Sequence, residues 1–326
     1  MVVTIDATFI NIDLFFVRKF KKGIPFDIYV KRSERHYTKI FRKGVVVDEE
    51  RVLRYQKKGV NFFYVDSEGY KTYLKALDVV SDRIFANLDG ARPEELAHML
   101  RELVIATAIE LSSSMQIGQE QLSNCGNVVK GCVDVLNKDP KAFIRVLSLL
   151  SHHPHAIKHS VMTSIFSILL AKNLEIENQR LLQVIGLGAF LHDVGIALLD
   201  YDPEMVTDLT PAQWKEMKAH PELGKRKVDH LEIPPEVLTI IMQHHEQPNG
   251  GGYPNNLKVN QIYFPARIVA VADTFCALLT KRPFRDAFTA LDALKTMRTD
   301  VGKFDSQVLV ALEKMLGDTI QSDKAS

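Results

Sequence analysis

Histidines cluster in one part of this sequence, where their neighbours point to metal chemistry. Nine of the eleven histidines fall between positions 152 and 245. His192 and Asp193 are adjacent within the almost wholly apolar segment LLQVIGLGAFLHDVGIALL. An ionised aspartate in a buried helix costs several kcal/mol unless a cation or strong hydrogen-bond donors compensate it. A metal ion is the simplest compensation.

Two further segments offer ligands of the same kinds. Asp273 is the acidic residue of the apolar segment RIVAVADTFCALL, and His244 and His245 end the apolar helix PEVLTIIMQHHE. Imidazole and carboxylate together suit Fe, Mn or Zn, whereas Mg²⁺ prefers oxygen ligands. A carboxylate that bridges two ions holds them ~3.5–4 Å apart for phosphoryl transfer to water. Each histidine alone could be an ordinary core or surface residue, but together these residues predict a metal site.

A glycine-rich loop follows the paired histidines directly. Residues 248–254 read PNGGGYP. Glycines allow a ligand to approach the backbone closely, and Tyr253 can stack on a base or donate a hydrogen bond to a phosphate. A plain turn closed by proline is the alternative. The position of the loop immediately after the histidines favours a binding role.

The elements that must position these residues are almost all helical. Apolar residues recur three and four positions apart from about residue 70 onward, which is typical of amphipathic helices. This spacing predicts helices over 76–88, 93–116, 120–136, 140–150, 154–173, 178–199, 211–219, 234–246, 265–279 and 287–298. Residues 1–75 instead show short apolar runs at 26–30, 45–47 and 62–65, separated by Lys-Gly turn signals, with one helix over 48–58. The predicted fold class is α+β.

The length of 326 residues favours two domains. We expect a small β-rich N-terminal domain over 1–75, with a regulatory or interaction role. A helical connecting region over 76–137 and an all-α domain over 138–326 follow it. All the chemistry described above falls in the last of these.

The amino-acid composition indicates which classes of partner and which cellular compartment to expect. The chain has 46% apolar and 25% charged residues and a net charge of +1, which does not favour a nucleic acid polymer or an anionic membrane. Residues 1–75 hold 16 Lys/Arg against 9 Asp/Glu, so this region has either a solvated basic face or a partner surface. Three cysteines without a CxxC pair fit a reducing cytoplasm. No signal peptide is recognisable, and no apolar run approaches the ~20 residues that span a bilayer.

The order of the motifs resembles the HD-GYP family. The motifs are His159, HDVG at 192–195, His220 before a proline, HHE at 244–246, GYP at 252–254 and ARIVAVADTFCALLTKRPFR at 266–285. That family belongs to the HD-domain metal phosphohydrolases and hydrolyses the bacterial second messenger cyclic di-GMP. The resemblance covers about residues 140–315. It implies an HD-type helical bundle and hydrolysis of cyclic di-GMP to pGpG and GMP.

The resemblance also implies a set of ligands. One metal ion would be held by His159, His192, Asp193 and Asp273, and Asp193 would bridge to a second ion held by His220, His244 and His245. Asp193 and His192 would form the catalytic centre. The implied cofactors are two divalent transition-metal ions, Fe before Mn or Zn.

Four residues are implied to contact the dinucleotide: Gly252 and Tyr253 of the loop, and Arg282 and Arg285 of the KRPFR segment. Bidentate guanidinium contacts suit phosphate. The alternative for the two arginines is an exposed pair that follows a helix.

Three positions depart from the family pattern. Ile196 stands where the family has the lysine of HDxGK, and isoleucine cannot neutralise a scissile phosphate or help the leaving oxygen. His155 lies one helical turn before His159, where members with a third metal have a glutamate, so either ligation or a supporting role is open. Asn249 replaces the usual aspartate of DGxGYP.

Two functions therefore stay open from the sequence. The first is two-metal hydrolysis of cyclic di-GMP, which the complete ligand set favours. The second is a module without efficient turnover. It would bind cyclic di-GMP, or dock a cyclic-di-GMP synthase or effector protein, through the glycine-rich loop at residues 248–254, called the GYP loop below. Ile196 favours this second reading. A phosphohydrolase for another nucleotide is a third possibility, against which the Tyr253 loop and the two arginines argue.

Overall fold

A computed structural model of the chain describes residues 9–12, 17, 20, 22–33, 36–60, 63–86, 93–113, 117–138, 155–201, 203, 206, 208–281 and 285–324. The described residues divide into two compact units, one within residues 3–106 and the other within 107–138 and 155–324. The division falls inside a helix, Pro93–Ser113.

The N-terminal unit is built on a four-stranded antiparallel sheet. Its strands are β1 (Phe9–Ile12), β2 (Ile28–Ser33), β3 (His36–Phe41) and β4 (Phe63–Asp66), in the order β1-β4-β2-β3, and its helices are α1 (Glu49–Lys57), α2 (Ser67–Ala86) and the start of α3 (Pro93–Ser113). Alternation along the strands buries Ile28 and Val30 of β2 and Phe63 and Val65 of β4 on one face. Tyr29 pairs with Tyr64 across β2 and β4. This face forms the core of the unit.

The predicted β-rich region is confirmed, although its details differ from the prediction. Residues 45–47 form no strand, and Val45 and Val46 are 45% and 57% exposed. The three consecutive valines lie in a loop, in which the Val45 carbonyl oxygen accepts a hydrogen bond from Ile24 N at 3.0 Å. Strands β1 and β3 were not predicted. Helix α2 begins at Ser67 rather than at residue 76, because the Asp66 carboxylate accepts from Gly69 N at 2.7 Å in the manner of an N-cap.

The second unit is all-helical, so the predicted α+β class with a helical bundle is confirmed. Its helices are the end of α3, α4 (Gln119–Lys138), α5 (His155–Asn173), α6 (Gln179–Leu191), α7 (Pro211–Lys218), α8 (His220–Val228), α9 (Pro235–Gln243), α10 (Phe264–Leu278), α11 (Ala290–Thr299) and α12 (Ser306–Lys324), with 3-10 helices at Val194–Leu198 and Val259–Gln261. Thr210 and Gln213 form a capping box at the start of α7. The predicted helix over 140–150 lies outside the described residues.

Helix α6 is central to this unit. Glycines allow its neighbours to approach: a Cβ at Gly186 would lie 2.6 Å from Val129 Cγ1 of α4, and one at Gly188 would lie 2.7 Å from Ile240 Cδ1 of α9. Because α4 packs directly on α6, it belongs to the same compact unit as the helices that follow. The predicted limits at 75/76 and 137/138 fall inside α2 and at the end of α4. That these limits separate independent domains stays a prediction.

The apolar character of α6 corrects one expectation. Among the described residues, the segment Gln179–Leu198 is long and apolar enough to cross a membrane by length and composition. It contains Asp193, and 61% of its most apolar window is buried within the protein. This is the pattern of a core helix, but the expectation that no apolar run approaches bilayer length was wrong.

Helix α6 also ends earlier than predicted. It stops at Leu191, and the predicted helix over 178–199 continues only as the 3-10 helix Val194–Leu198. The chain turns here because Gly195 packs directly on the backbone of α8. A Cβ at Gly195 would lie 2.1 Å from His220 O and 2.5 Å from Gly224 N.

Candidate metal centre

Five helices bring the seven predicted ligands together. His159 comes from α5, His192 is the C-cap of α6 with Asp193 after it, His220 begins α8, His244 is the C-cap of α9 with His245 after it, and Asp273 lies in α10. His159, His192, His220, His244 and Asp273 are all buried. Asp193 has φ −96° and ψ 10°, the bridge region in which active-site residues are often found.

Asp193 faces two groups of histidines, one with each carboxylate oxygen. Its Oδ2 lies 3.3 Å from His192 Nε2 and 3.8 Å from His159 Nε2. Its Oδ1 lies 3.3 Å from His220 Nε2 and 3.8 Å from His244 Nε2. A single side chain therefore separates the two groups and contacts both.

The ligand atoms form two overlapping clusters. One contains His159, His192 and Asp193, and the other contains Asp193, His220, His244 and His245; within each, the atoms lie within 4.8 Å of one another. Asp273 Oδ1 adds to the first cluster, at 2.9 Å from His159 Nε2 and 3.7 Å from His192 Nε2. Asp193 is common to both clusters, where a bridging carboxylate is predicted. Ligation itself stays a prediction.

Backbone carbonyls orient three of the imidazoles. The Nδ1 atoms of His192, His220 and His244 lie 2.6, 2.7 and 2.8 Å from the carbonyl oxygen three residues earlier. A carbonyl oxygen only accepts, so each Nδ1 carries a hydrogen, and Nε2 is the ring nitrogen left to face inward and bind a metal ion. This is the arrangement by which proteins fix histidine ligands.

The inward-facing nitrogens fit a cation. His220 Nε2 and His244 Nε2 are 3.1 Å apart, and with both Nδ1 atoms protonated the two neutral rings cannot hydrogen-bond to each other. Two nitrogens bound to one ion at ~2.0–2.1 Å would lie about 3 Å apart. Within the described part of the chain, His192 Nε2 is buried and has no hydrogen-bond partner. The donor set therefore suits a divalent metal ion.

The charges of the site fit the same conclusion. Burial opposes ionisation of Asp193 and Asp273, but neighbouring histidines outweigh it and hold the pKa of both carboxyls well below the usual range. Burial, together with nearby histidines, lowers the pKa of His244 well below its ordinary value and that of His245 to about 4. Burial opposes a charge on His192 as well, but Asp193 and Asp273 outweigh it and raise the pKa of His192 well above its ordinary value. A proton on this histidine therefore compensates the carboxylates, and a metal ion would displace that proton on binding.

The GYP loop covers the second cluster. Tyr253 N donates to His245 O at 3.2 Å, and the Tyr253 ring lies 4.7 Å from the His245 ring between centroids. A Cβ at Gly252 would lie 2.3 Å from Gln247 N and 2.5 Å from His245 O, so the loop can approach this closely only with glycine. Burial raises the pKa of Tyr253 well above its ordinary value. Tyr253 therefore stays a protonated hydrogen-bond donor.

Glu246 holds this loop, a role that the sequence analysis missed. It is 2% exposed, and its Oε1 and Oε2 accept from Asn255 N at 2.6 Å and Leu257 N at 2.8 Å. The available signal was a carboxylate after the two histidines, directly ahead of a glycine-rich loop whose backbone N–H groups need acceptors. Asn249 makes a similar contact, accepting from Gly251 N at 2.8 Å, which an aspartate at this position could also do.

The remaining predicted residues are less closely placed at the site. The Arg285 guanidinium donates to Ala277 O at 2.8 Å and Leu278 O at 3.3 Å at the end of α10. These are helix-capping contacts, so a phosphate contact by Arg285 stays a prediction. Arg282 and the side chain of His155 lie outside what the structure describes. Ile196 is half-buried in the 3-10 helix.

We expect Glu246→Ala to lower the free energy of unfolding by about 2–3 kcal/mol, because a buried carboxylate loses two charge-assisted hydrogen bonds to backbone N–H groups. The amides of Asn255 and Leu257 should exchange hydrogen faster, as measured by hydrogen–deuterium exchange. Glu216→Ala, at an exposed position of α7, should change stability by less than about 0.5 kcal/mol. Unchanged protection of the two amides would contradict the assigned role.

Comparison with known proteins adds family and fold information. A family model described as HD domain matches residues 145–308. A cyclic di-GMP phosphodiesterase of Pseudomonas aeruginosa is 28% identical over 232 residues, which cover 70% of this chain and 56% of the relative. The cyclic di-GMP phosphodiesterase response regulator RpfG of Xanthomonas campestris pv. campestris is 36% identical over 149 residues, 44% of this chain and 39% of the relative.

A solved structure shares the fold. An HDG"Y"P protein from Bdellovibrio bacteriovorus aligns with a TM-score of 0.69 at 24% identity, covering 95% of this chain and 99% of that one. The chain spans only about 39% to 56% of the length of the two curated relatives.

Proposed function

The chain belongs to the HD-domain family, in its HD-GYP branch, and from this premise we propose that it is a metal-dependent phosphodiesterase acting on cyclic di-GMP. The observation that carries the proposal is Asp193, whose two oxygens face two separate histidine groups. Curated relatives named as cyclic di-GMP phosphodiesterases support the substrate. The proposed products are pGpG and then GMP, and the proposed compartment is the cytoplasm.

In this reaction the protein's own residues would retain the metal ions, orient the ligands and position the dinucleotide. When bound, two divalent metal ions would supply Lewis acidity and lower the pKa of water near a phosphodiester. Asp193 and Asp273 provide the negative charge that retains such ions. The hydrogen bonds from the histidine Nδ1 atoms to backbone carbonyls hold the Nε2 atoms of these rings toward the ions. Iron is the proposed metal, with Mn or Zn as alternatives, since all three accept imidazole with carboxylate.

Tyr253 would position the dinucleotide. Its phenol stays protonated beside His245, so it can donate to a phosphate oxygen or present its ring to a guanine base. Glu246 holds the following residues in place, which keeps the tyrosine preorganised. Arg282 and Arg285 stay proposed phosphate contacts.

Turnover of cyclic di-GMP tests the proposal. Protein loaded anaerobically with Fe(II) or Mn(II) should carry close to two ions per chain and produce pGpG, measured by chromatography. The rate should be slow in the wild type and undetectable in His192→Ala, since that histidine faces both carboxylates. A protein that holds two ions and cleaves no cyclic dinucleotide would sink the hydrolase proposal.

Ile196 supports a second candidate, a binding module without efficient turnover. In that case the GYP loop would bind cyclic di-GMP or dock a cyclic-di-GMP synthase or effector protein. We expect Ile196→Lys to raise the hydrolysis rate tenfold or more, because one charge contact in a desolvated site contributes ~1.4 kcal/mol or more. Ile196→Met, which keeps the volume without the charge, should stay at the wild-type rate. If Ile196→Lys binds two ions and stays inert, the binding module becomes the better proposal.

A further inference from the structure

A lysine from another helix lies beside the GYP loop. Lys218 is the last residue of α7, and its Nζ lies 5.9 Å from the centroid of the Tyr253 ring. The same ring lies 4.7 Å from His245 and 6.4 Å from His220 between centroids. One aromatic side chain therefore separates this ammonium group from two predicted ligands of the second metal ion.

We propose that Lys218 supplies the positive charge toward the substrate phosphate that Ile196 cannot supply. This inference rests on the proposed function, because it assigns a residue to the same site. Cyclic di-GMP carries two phosphodiester anions, and lysine is one of the side chains that bind phosphate as a point charge. A cation on the loop side, beside the ring of Tyr253, would attract the incoming phosphate.

The backbone fixes the position of Lys218 relative to the histidines. His220 Nδ1 donates to Met217 O at 2.7 Å, and the Ala219 N–H is directed at the carbonyls of Glu216 and Met217. The chain on both sides of Lys218 is therefore tied to the turn that orients His220. The Cα of Lys218 cannot move far without moving that histidine.

The side chain itself remains adjustable. Lys218 is exposed, so its ammonium group is hydrated and gives up little solvation when it turns toward an anion. Its contact with the face of Tyr253 is the geometry of a cation–π interaction, which keeps the charge on the loop side. A lysine is a point charge on a flexible stem and can follow a phosphate. The competing explanation is an ordinary solvated lysine, and binding measurements separate the two.

The first test measures affinity without turnover. Metal-loaded protein is titrated calorimetrically with a phosphorothioate analogue of cyclic di-GMP that resists cleavage, and the metal content of each variant is counted. Lys218→Gln should weaken binding about fivefold to twentyfold, as expected for a partly exposed charge-assisted contact, with the metal content unchanged. Lys218→Arg should stay within about twofold of the wild type. Lys225→Gln is the matched control, since Lys225 is exposed and leaves α8 about 140° away from His220.

The second test asks whether position 196 and Lys218 supply the same charge. Adding Ile196→Lys to Lys218→Gln should restore the affinity, and the gain from Ile196→Lys should be larger in the Lys218→Gln background than in the wild type. A purely structural role of Lys218 would not produce this rescue.

The outcomes distinguish this inference from the proposed function. If the wild type binds and cleaves cyclic di-GMP while Lys218→Gln and Lys218→Glu bind the analogue with unchanged affinity, only the role of Lys218 is overturned. If the metal-loaded wild type neither binds the analogue nor cleaves cyclic di-GMP, the proposed function and the role of Lys218 fail together.

Discussion

Asp193→Asn is expected to leave the protein without either metal ion and to lower hydrolysis of cyclic di-GMP by more than about a thousandfold, or ~4 kcal/mol of barrier. The two oxygens of Asp193 face different histidine groups, at 3.3 Å from His192 Nε2 and 3.3 Å from His220 Nε2. Asparagine keeps the shape but offers one neutral oxygen and an NH₂ group that cannot ligate. Each ion would then lose a charged ligand, and the pair would lose its bridge.

The number of metal ions per chain, measured by inductively coupled plasma mass spectrometry, checks this expectation in Asp193→Asn and in variants that lose one ligand of a single cluster. His159→Ala and His245→Ala, one from each cluster, should each weaken retention of one ion more than the other. Asp200→Asn is the control, because Asp200 is exposed beyond the 3-10 helix; it should keep both ions and the wild-type rate. An Asp193→Asn protein that retains two ions after dialysis would rule out a bridging role for this carboxylate.

Much of this centre could be predicted from sequence because its signals are local. An aspartate within an apolar segment, as at Asp193 and Asp273, poses an energetic problem that can be recognised without knowing the fold. His244 and His245 were recognised in the same way, at the end of an apolar helix. The structure brings all of these residues together, as the predicted site requires.

What could not be predicted depends on contacts between distant segments. The break after Leu191 follows from the approach of Gly195 to Gly224, which lie on different elements. The Arg285 guanidinium donates to Ala277 O at the end of α10, and this contact depends on the three-dimensional position of residue 285. The periodicity of apolar residues reports which side of a helix is buried, and it contains no information on where another backbone will pass.

The errors in the predicted strands also come from contacts between distant segments. The valines at 45–47 look like a strand by composition, yet they lie in a loop, where Val45 and Val46 are exposed and only Val47 is buried. Strand β3 was missed because its sequence, HYTKIF, has apolar aliphatic or phenylalanine side chains only at its last two positions and therefore shows no apolar run. Strand formation depends on cross-strand partners, here Tyr29 opposite Lys39 and Lys31 opposite Tyr37. Such pairing is decided in three dimensions.

Gly195→Ala is expected to lower the free energy of unfolding by about 3 kcal/mol, the upper end for overpacking of a filled interior. The added Cβ would lie 2.1 Å from His220 O and 2.5 Å from Gly224 N, and backbone atoms cannot move aside as a flexible side chain can. Helix α8 would have to shift, and His220 with it. A displacement of ~1 Å at a reacting centre commonly lowers the rate by about a hundredfold, so hydrolysis should fall by at least this factor.

Urea unfolding and turnover of the folded variant check the two effects separately. Gly126→Ala provides a matched control with the same chemical change, since Gly126 lies within α4 and a Cβ there meets no heavy atom within 4 Å. That variant should be more stable than the wild type by about 0.5–1 kcal/mol, because alanine restricts the unfolded chain and favours a helix. If Gly195→Ala were instead as stable and as active as the wild type, α8 would not lie against the HDVG turn as closely as the structure has it. The location of His220 in the second cluster would then have to be reconsidered.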